Sequence, residues 1–514
     1  MSKEIEFKIH TEQEKSFIQP ELHSHFVEFL GSCIYDGIWV GLESEIPNYK
    51  GLRKDVVDAM KALEPSVIRW PGGCYADTYH FRNGIGALEK RPVTYNENFG
   101  TFEKDSNQFG THEFMELCKM VGAKPWLNIN MMSGSVEEMR DWMEYCNRSE
   151  GTELAKLREK NGSKEAFQVE LFGLGNEVWG GGGYMRPSAY ADEYRKYATA
   201  MPSFSTIGEL GKSKIKRIAC GPDGNKKQER VRWTKEFFQS LSEYRFPAID
   251  GYDLHFYNWN INGEEKSEVE FGKKEWDKVI AGALELEEVI VEQYELIQEG
   301  LAQIPKGEEI FAFEEPKVDL IIGEWGNWHK GAFVNRPALY QQCTMRDAVT
   351  TALTLDIFHH HCDKVKMACV AQSINVLNSL ILTQGESCIL TPNYYVFQMY
   401  MVHKAGKVLA ISENANDSVH IFASRKGEII SINLINTSYE EEKEVCLCLS
   451  EAAECIKITR LAGAPSAYNS VENPYLVQAE EISIKEVIKE DNQRIFRCNM
   501  KAASVNVYQF RILT

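Results

Sequence analysis

Two glutamates stand where chemistry is expected. Glu177 closes the run FGLGNE and is followed two residues on by Trp179, while Glu324 closes LIIGE and is followed at once by Trp325. A carboxylate at the end of an apolar strand cannot face a packed core, because burying an unpaired charge is too costly, so each must face a cavity. Two such carboxylates with aromatic neighbours suit hydrolysis of a glycosidic bond. One protonates the leaving oxygen; the other attacks the anomeric carbon or activates water. Trp179, Trp325 and Trp328 would offer flat apolar faces to sugar C–H surfaces. A purely structural pairing of each glutamate with an arginine suits one such residue better than two, with Asn176 directly before the first.

The elements that must position them follow a rhythm over the first 400 residues: short apolar strand, loop, amphipathic helix. Eight strands are expected, at His25–Leu30, Val67–Arg69, Pro125–Ile129, Glu170–Leu174, Arg217–Cys220, Asp250–His255, Leu320–Gly323 and Lys366–Ala371. Short apolar runs of this kind suit parallel strands buried on both faces. Thr111 is expected to cap one helix that Gly122 ends, Ser135 and Glu138 to form a capping box, and Ser188, after Pro187, to start another. Eight such units close into a (β/α)8 TIM barrel, whose active site lies at the C-terminal strand ends. Besides the two glutamates, those ends carry Glu28, Arg69, Cys74, Asn128, Asn130, Asn176, His255, Tyr257 and Gln372.

A last helix is expected over Pro392–His403. Beyond it come short strands 8–15 residues apart without helices, from VLAIS to SVNVYQFRIL, which read as a C-terminal antiparallel β-sandwich domain. The alternating IEFKIH lends it an N-terminal strand. The expected division is a catalytic barrel over 19–404 and a sandwich over 405–514, with a strand from 1–18. The segment 260–316 is long for one connection and holds a helical run at Lys273–Leu301, either an outer helix with an insertion or an ordinary sixth barrel helix.

The 514 residues carry 57 Lys+Arg against 75 Asp+Glu, a net charge of −18. An acidic surface repels phosphate backbones and anionic lipid, so neither nucleic acid nor membrane is an expected partner. No run approaches the roughly 20 apolar residues of a spanning helix, and the N-terminal residues lack a signal-peptide pattern, which gives a cytoplasmic expectation. The 13 cysteines, odd in number and scattered through apolar runs, suit reduced core residues.

Five segments, RWPGGCYADTYHFRNGIG, QFGTHEFMELCKMVGAKPWLNIN, FGLGNEVWGGGG, DLHFYN and IIGEWGNWH, resemble glycoside hydrolase family 51 in order and spacing over roughly residues 20–400. That family consists mainly of retaining α-L-arabinofuranosidases. The resemblance implies that Glu177 is the general acid/base and Glu324 the nucleophile. It implies that Asn176 bonds the sugar 2-hydroxyl, Glu28 grips the arabinose hydroxyls and Tyr257 sits beside the nucleophile. Gln372 would close the pocket, Arg69 orient the nucleophile and Trp328 lie on the aglycone side. Cys74 stands where some relatives carry a sugar-binding Asn, and a thiol is the weaker hydrogen-bonder. The implied substrates are arabinose-containing oligosaccharides, the implied assembly a homo-oligomer, often a hexamer, and no cofactor or metal is required.

Other signals are weaker. His359-His360-His361-Cys362 resembles a metal motif, but consecutive helical residues diverge by about 100° and cannot share one tetrahedral site. The GGGG at 180–183 lacks the Lys-Ser/Thr of a phosphate loop. A β-xylosidase or β-glucanase on the same barrel, or a non-catalytic carbohydrate-binding protein, are the alternatives.

Overall fold

The computed structural model describes residues 5–98, 103–205, 213–262, 264–304, 317–335, 337–413, 418–491 and 494–513. Eight parallel strands close into a barrel: Ser24–Phe26 (β1), Val67–Trp70 (β2), Lys124–Ile129 (β3), Leu171–Leu174 (β4), Lys216–Asp223 (β5), Gly251–Asn260 (β6), Asp319–His329 (β7) and Val365–Val370 (β8). Every expected strand is present. The first ends early, at Phe26, whereas β6 and β7 run on past the barrel rim and stay paired as far as Asn260 and His329. That extension carries Tyr257, Trp259 and Trp328 beyond the barrel interior.

A single extra residue sets the aim of β7. Leu254 pairs with Ile322, but His255 pairs with Glu324, so Gly323 is a bulge against β6. Alternation along β6 turns Asp253, His255 and Tyr257 to one face. The bulge places Glu324 in register with His255, on that face; without it, Glu324 would pair with Phe256 and turn outward. Gly323 is required there, since a Cβ would lie 2.2 Å from Asp253 Oδ1. Its N–H donates to the same oxygen at 2.7 Å.

Helices Lys54–Leu63 (α1), Thr111–Val121 (α2), Val136–Asn147 (α3), Glu153–Lys160 (α4), Pro187–Ala200 (α5), Lys227–Ser242 (α6), Lys273–Leu301 (α7), Met345–His360 (α8) and Pro392–Tyr400 (α9) accompany the strands. The caps differ in detail from expectation. Gly110, not Thr111, caps α2, and Glu113 takes the Gly110 N–H at 2.8 Å. Ser135 caps α3, but Glu138 turns its carboxylate to His80 Nδ1 at 3.0 Å, leaving half a capping box. Arg186 caps α5, with Pro187 as its first residue. α7 packs between α6 and α8 as the sixth barrel helix, and 305–316 lie outside the described residues.

The C-terminal strands form one continuous ten-stranded sheet around an apolar core of its own, with Phe7, Ile432, Leu447, Phe496 and Phe510 among its members. The strand Ile5–Phe17 enters this sheet between Lys407–Glu413 and Lys443–Leu449. Its pairing with Lys443–Leu449 is parallel, which corrects the all-antiparallel expectation. The opposite face joins the barrel core through Phe422, Ile435, Val505 and Val507. There Phe422 meets the His359 ring at 5.0 Å, and Trp276 donates to the Thr437 carbonyl at 2.8 Å. The thirteen cysteines are all free.

Candidate active site

Arg69 is the hub of the C-terminal end of the barrel. It is fully buried, its guanidinium lying 4.6 Å from the Phe26 ring centroid and 5.3 Å from that of Trp126. One Nη donates to Glu324 Oε1 at 2.7 Å and the other to Asn176 Oδ1 at 2.6 Å. The planar fork thereby ties the end of β7 to the turn after β4 in a fixed geometry that a rotatable ammonium lacks. Tyr257 holds the second oxygen of Glu324 at 2.6 Å. Both Glu324 oxygens are thus fixed in place.

Glu177 follows Asn176 with a left-handed backbone, φ 40°, a conformation disfavoured for a residue with a Cβ and retained by its surroundings. His255 Nδ1 lies 2.9 Å from Glu177 Oε1 and 3.6 Å from Glu324 Oε1, so one imidazole spans the two carboxylates. Its Nε2 faces Asp253 Oδ2 at 3.3 Å. The ligand atoms of Glu177, His255 and Glu324 all fall within 4.8 Å of one another. A cation could be imagined there, but Arg69 and His255 already set positive charge against these oxygens, and Tyr257 takes another lone pair. In the C-terminal sheet, Glu6, Cys446 and Cys448 form a second such trio.

Burial pushes the Glu177 carboxyl up; the His255 hydrogen bond and charge pull it down, and the Glu324 charge raises it again. Burial works against protonating His255, but the charges of Glu324 and Asp253 and the bonds to Asp253 and Glu177 raise it to about 10. Glu28 is pushed up to about 7 by burial and then by Glu324. Burial, followed by Glu324, lifts the Tyr257 hydroxyl well above the ordinary phenol range.

Glu28 lies on the opposite wall. Its oxygens accept from the Tyr75 N–H at 3.0 Å, the Asn98 amide at 3.0 Å and Gln372 Nε2 at 2.9 Å. This last bond joins the ends of β1 and β8. Cys74 Sγ sits 3.9 Å from both Glu177 Oε2 and Asn176 Nδ2. Trp328 packs edge-on to Tyr257 at 5.1 Å, and Trp259 and Phe333 flank it. All nine residues singled out in the sequence converge here: Glu28, Arg69, Cys74, Asn176, Glu177, Tyr257, Glu324, Trp328 and Gln372.

Trp325 does not. It is buried and stacks on Phe397 of α9 at 6.0 Å, because the residue after an inward Glu324 points outward. Sequence reasoning placed His255 at a strand end without giving it a role, and it passed over Asp253, Asn98 and Asp77. Asp253 and His255 were legible: in DLHFYN, polar side chains at every second position mark an inward face. Asp77, fully buried behind the Gly180–Gly183 turn and raised to about 8 by that burial, had no such signal. The three consecutive histidines diverge to His23, the Ile421 carbonyl and Glu287.

A closed (β/α)8 barrel that fixes two glutamates face to face at the ends of β4 and β7, beside an aromatic wall, is built as a glycoside hydrolase. Residues 59–275 match the model of the α-L-arabinofuranosidase 1 domain, and 323–504 that of the α-L-arabinofuranosidase C-terminal domain. The chain belongs to glycoside hydrolase family 51, the α-L-arabinofuranosidases. It is similar to an intracellular exo-α-L-arabinofuranosidase of Bacteroides ovatus, 37% identical over 91% of this chain and 89% of that one. Among solved structures, the family 51 arabinofuranosidase of Xanthomonas axonopodis pv. citri aligns with a TM-score of 0.87 at 30% identity, over 99% of this chain and 100% of the other. An α-L-arabinofuranosidase of Thermotoga maritima in complex with arabinose aligns with a TM-score of 0.83 at 25% identity, over 99% and 100%.

Proposed function

We propose that this enzyme releases terminal α-L-arabinofuranosyl residues from arabinose-containing oligosaccharides, with retention of configuration. In this reading the catalytic unit is 19–404, Glu324 attacks the anomeric carbon, and Glu177 first protonates the leaving oxygen and then activates water. The observation that carries it is the single His255 imidazole against both carboxylates, 2.9 Å from Glu177 Oε1 and 3.6 Å from Glu324 Oε1, with one oxygen of each within 4.8 Å of the other. A separation of about 5–5.5 Å fits direct attack, whereas inversion needs about 6.5–9.5 Å to admit a water.

The chemistry follows from the surroundings. Arg69 and Tyr257 hold both oxygens of Glu324 and aim it, as a nucleophile must be aimed. Burial keeps a proton on Glu177 at higher pH than a free glutamate holds one. Forming the glycosyl ester removes the Glu324 charge, which lowers Glu177 and readies it as a base. Glu28, Asn176, Cys74, Tyr257 and Gln372 surround one sugar, which favours exo action on chain ends. The name of the Bacteroides ovatus relative supports both exo action and a cytoplasmic site of work. A homo-oligomer, up to a hexamer, belongs to the same reading and is tested by light scattering.

The deciding experiment compares aryl α-L-arabinofuranoside, β-xyloside and β-glucoside and follows the first product by NMR. The arabinofuranoside is expected to be the preferred substrate, with the α-anomer released first. Preference for the xyloside or glucoside, or an inverted first product, overturns the reading.

A further inference from the structure

Far from the cleft, two thiols of the C-terminal sheet stand side by side. Along Lys443–Leu449, the side chains of Val445, Leu447 and Leu449 enter the apolar core of that sheet, so alternation turns Cys446 and Cys448 to the other face. Their Sγ atoms lie 3.8 Å apart. The N-terminal strand Ile5–Phe17 runs parallel alongside, with Glu6 opposite Cys446 and Lys8 opposite Cys448. One carboxylate oxygen of Glu6 joins the two sulfurs, all three atoms lying within 4.8 Å of one another. On the other edge, Ile495–Met500 pairs with every residue from Lys443 to Cys448. The trio thus stands on backbone held from both sides. Cys446 is buried, while Cys448 and Glu6 are half-buried.

The spacing of the sulfurs has a chemical meaning. Two thiolates bound to one zinc ion at about 2.3 Å, with a tetrahedral angle between them, are about 3.8 Å apart. A disulfide suits the pair less well. Two residues along a strand advance roughly 6.7 Å, at the long end of the Cα separations a disulfide tolerates, and the ladders on both edges resist the shift that would shorten it. An ion between the sulfurs needs no such shift. Two thiolates and a carboxylate form a donor set for a borderline-soft divalent cation, with water in the fourth position. The neighbouring cations leave room for it. Lys8, which is exposed, reaches Glu6 only at 3.5 Å, and Arg497, the register partner of Cys446, is engaged by Glu490 at 3.1 Å and Glu444 at 3.9 Å.

We propose that Glu6, Cys446 and Cys448 form a structural zinc site that clamps the N-terminal strand onto the C-terminal sheet. Binding exchanges the two thiol protons for the ion, releasing both protons to solvent, and transfers no electron. The site takes no part in glycoside hydrolysis, so it stands or falls independently of the roles given to Glu177 and Glu324.

The test titrates the full chain, reduced and stripped of metal by a chelator, with Co²⁺, which enters zinc sites and reports thiolate ligands through a sulfur-to-metal charge-transfer band. One equivalent is expected to produce the band, and Zn²⁺ to displace it. Excess Zn²⁺ should raise Tm by about 2–5 °C, since it binds the folded chain. Cys448→Ser, a small change at a half-buried position, is expected to lose both the band and the rise in Tm while keeping its turnover of an aryl arabinofuranoside. Glu6→Gln should keep the band and weaken Zn²⁺ about tenfold, the loss of one charged ligand. Cobalt bound instead by Glu177, His255 and Glu324, with Cys74 nearby, would leave the band intact in Cys448→Ser. That result overturns the proposal, as does the absence of a band in the wild-type chain or a Zn²⁺ affinity that Glu6→Gln leaves unchanged.

Discussion

Asp253 occupies the space that Gly323 leaves empty: its Oδ1 accepts the Gly323 N–H at 2.7 Å, where a side chain on residue 323 would otherwise sit. This contact stabilises the one-residue bulge that turns Glu324 into the cleft. The same carboxylate faces His255 through its other oxygen. One buried aspartate thus links the aim of Glu324 to the position of the imidazole between the two glutamates.

Gly323→Ala should therefore damage both stability and catalysis. The added methyl meets the Asp253 carboxylate, which accepts the Gly323 N–H and faces His255, an overpacking cost of about 1–3 kcal/mol. A lower Tm together with a reduced kcat is the expected pair of results. A variant with normal Tm and normal kcat would show that the bulge does not set the aim of Glu324.

Arg69→Lys should not behave as a conservative change. A lysine ammonium is a rotatable point donor without the fixed fork that holds Glu324 and Asn176 through two separate nitrogens, so their relative position is loosened. A fall of about 10²-fold in kcat/KM is expected, the scale of an ångström-sized misplacement. Steady-state kinetics on an aryl arabinofuranoside check it.

Glu177→Ala should separate the two steps by leaving group. Dinitrophenolate departs without protonation, so the covalent intermediate still forms and its hydrolysis becomes slow. Azide needs no base and should speed turnover, giving an α-L-arabinofuranosyl azide under net retention. With an arabino-oligosaccharide, the loss should be about 10²–10⁴-fold and azide should not help. Equal losses on both substrates, with no azide response, would remove Glu177 from the acid/base role.

Glu324→Gln should reduce turnover to background, since no other carboxylate at the site is held by both Arg69 and Tyr257. A mechanism-based arabinofuranosyl inhibitor should label the wild-type peptide containing IIGEWGNWH. Label on Glu28 or Glu177 would reassign the nucleophile.

His255→Asn should move the alkaline limb of the kcat/KM profile. In the proposed role the acid form of Glu177 is the active one, so activity is expected to fall as pH rises through its pKa. The His255 hydrogen bond and charge lower that pKa, and His255, at about 10, keeps its charge through the neutral range. Without the imidazolium the Glu177 value rises, and the alkaline limb shifts to higher pH. A shift to lower pH would contradict this arrangement.

Much of this protein was legible in its sequence. Strands buried on both faces are continuous apolar runs, so all eight barrel strands could be located, and polar residues at their ends marked the cleft. Glu177 and Glu324 stood out because charge beside apolar strands needs a reason. Tertiary structure alone decided the rest. The outward turn of Trp325, the bulge at Gly323 and the reach of β6 and β7 past the rim depend on register with neighbouring strands, which no single strand encodes. The span of His255 across two carboxylates, the buried Asp77 and the parallel seat of the N-terminal strand bring together residues distant in sequence. Local patterning records which face of an element is apolar; it does not record what that face, or its polar opposite, will meet.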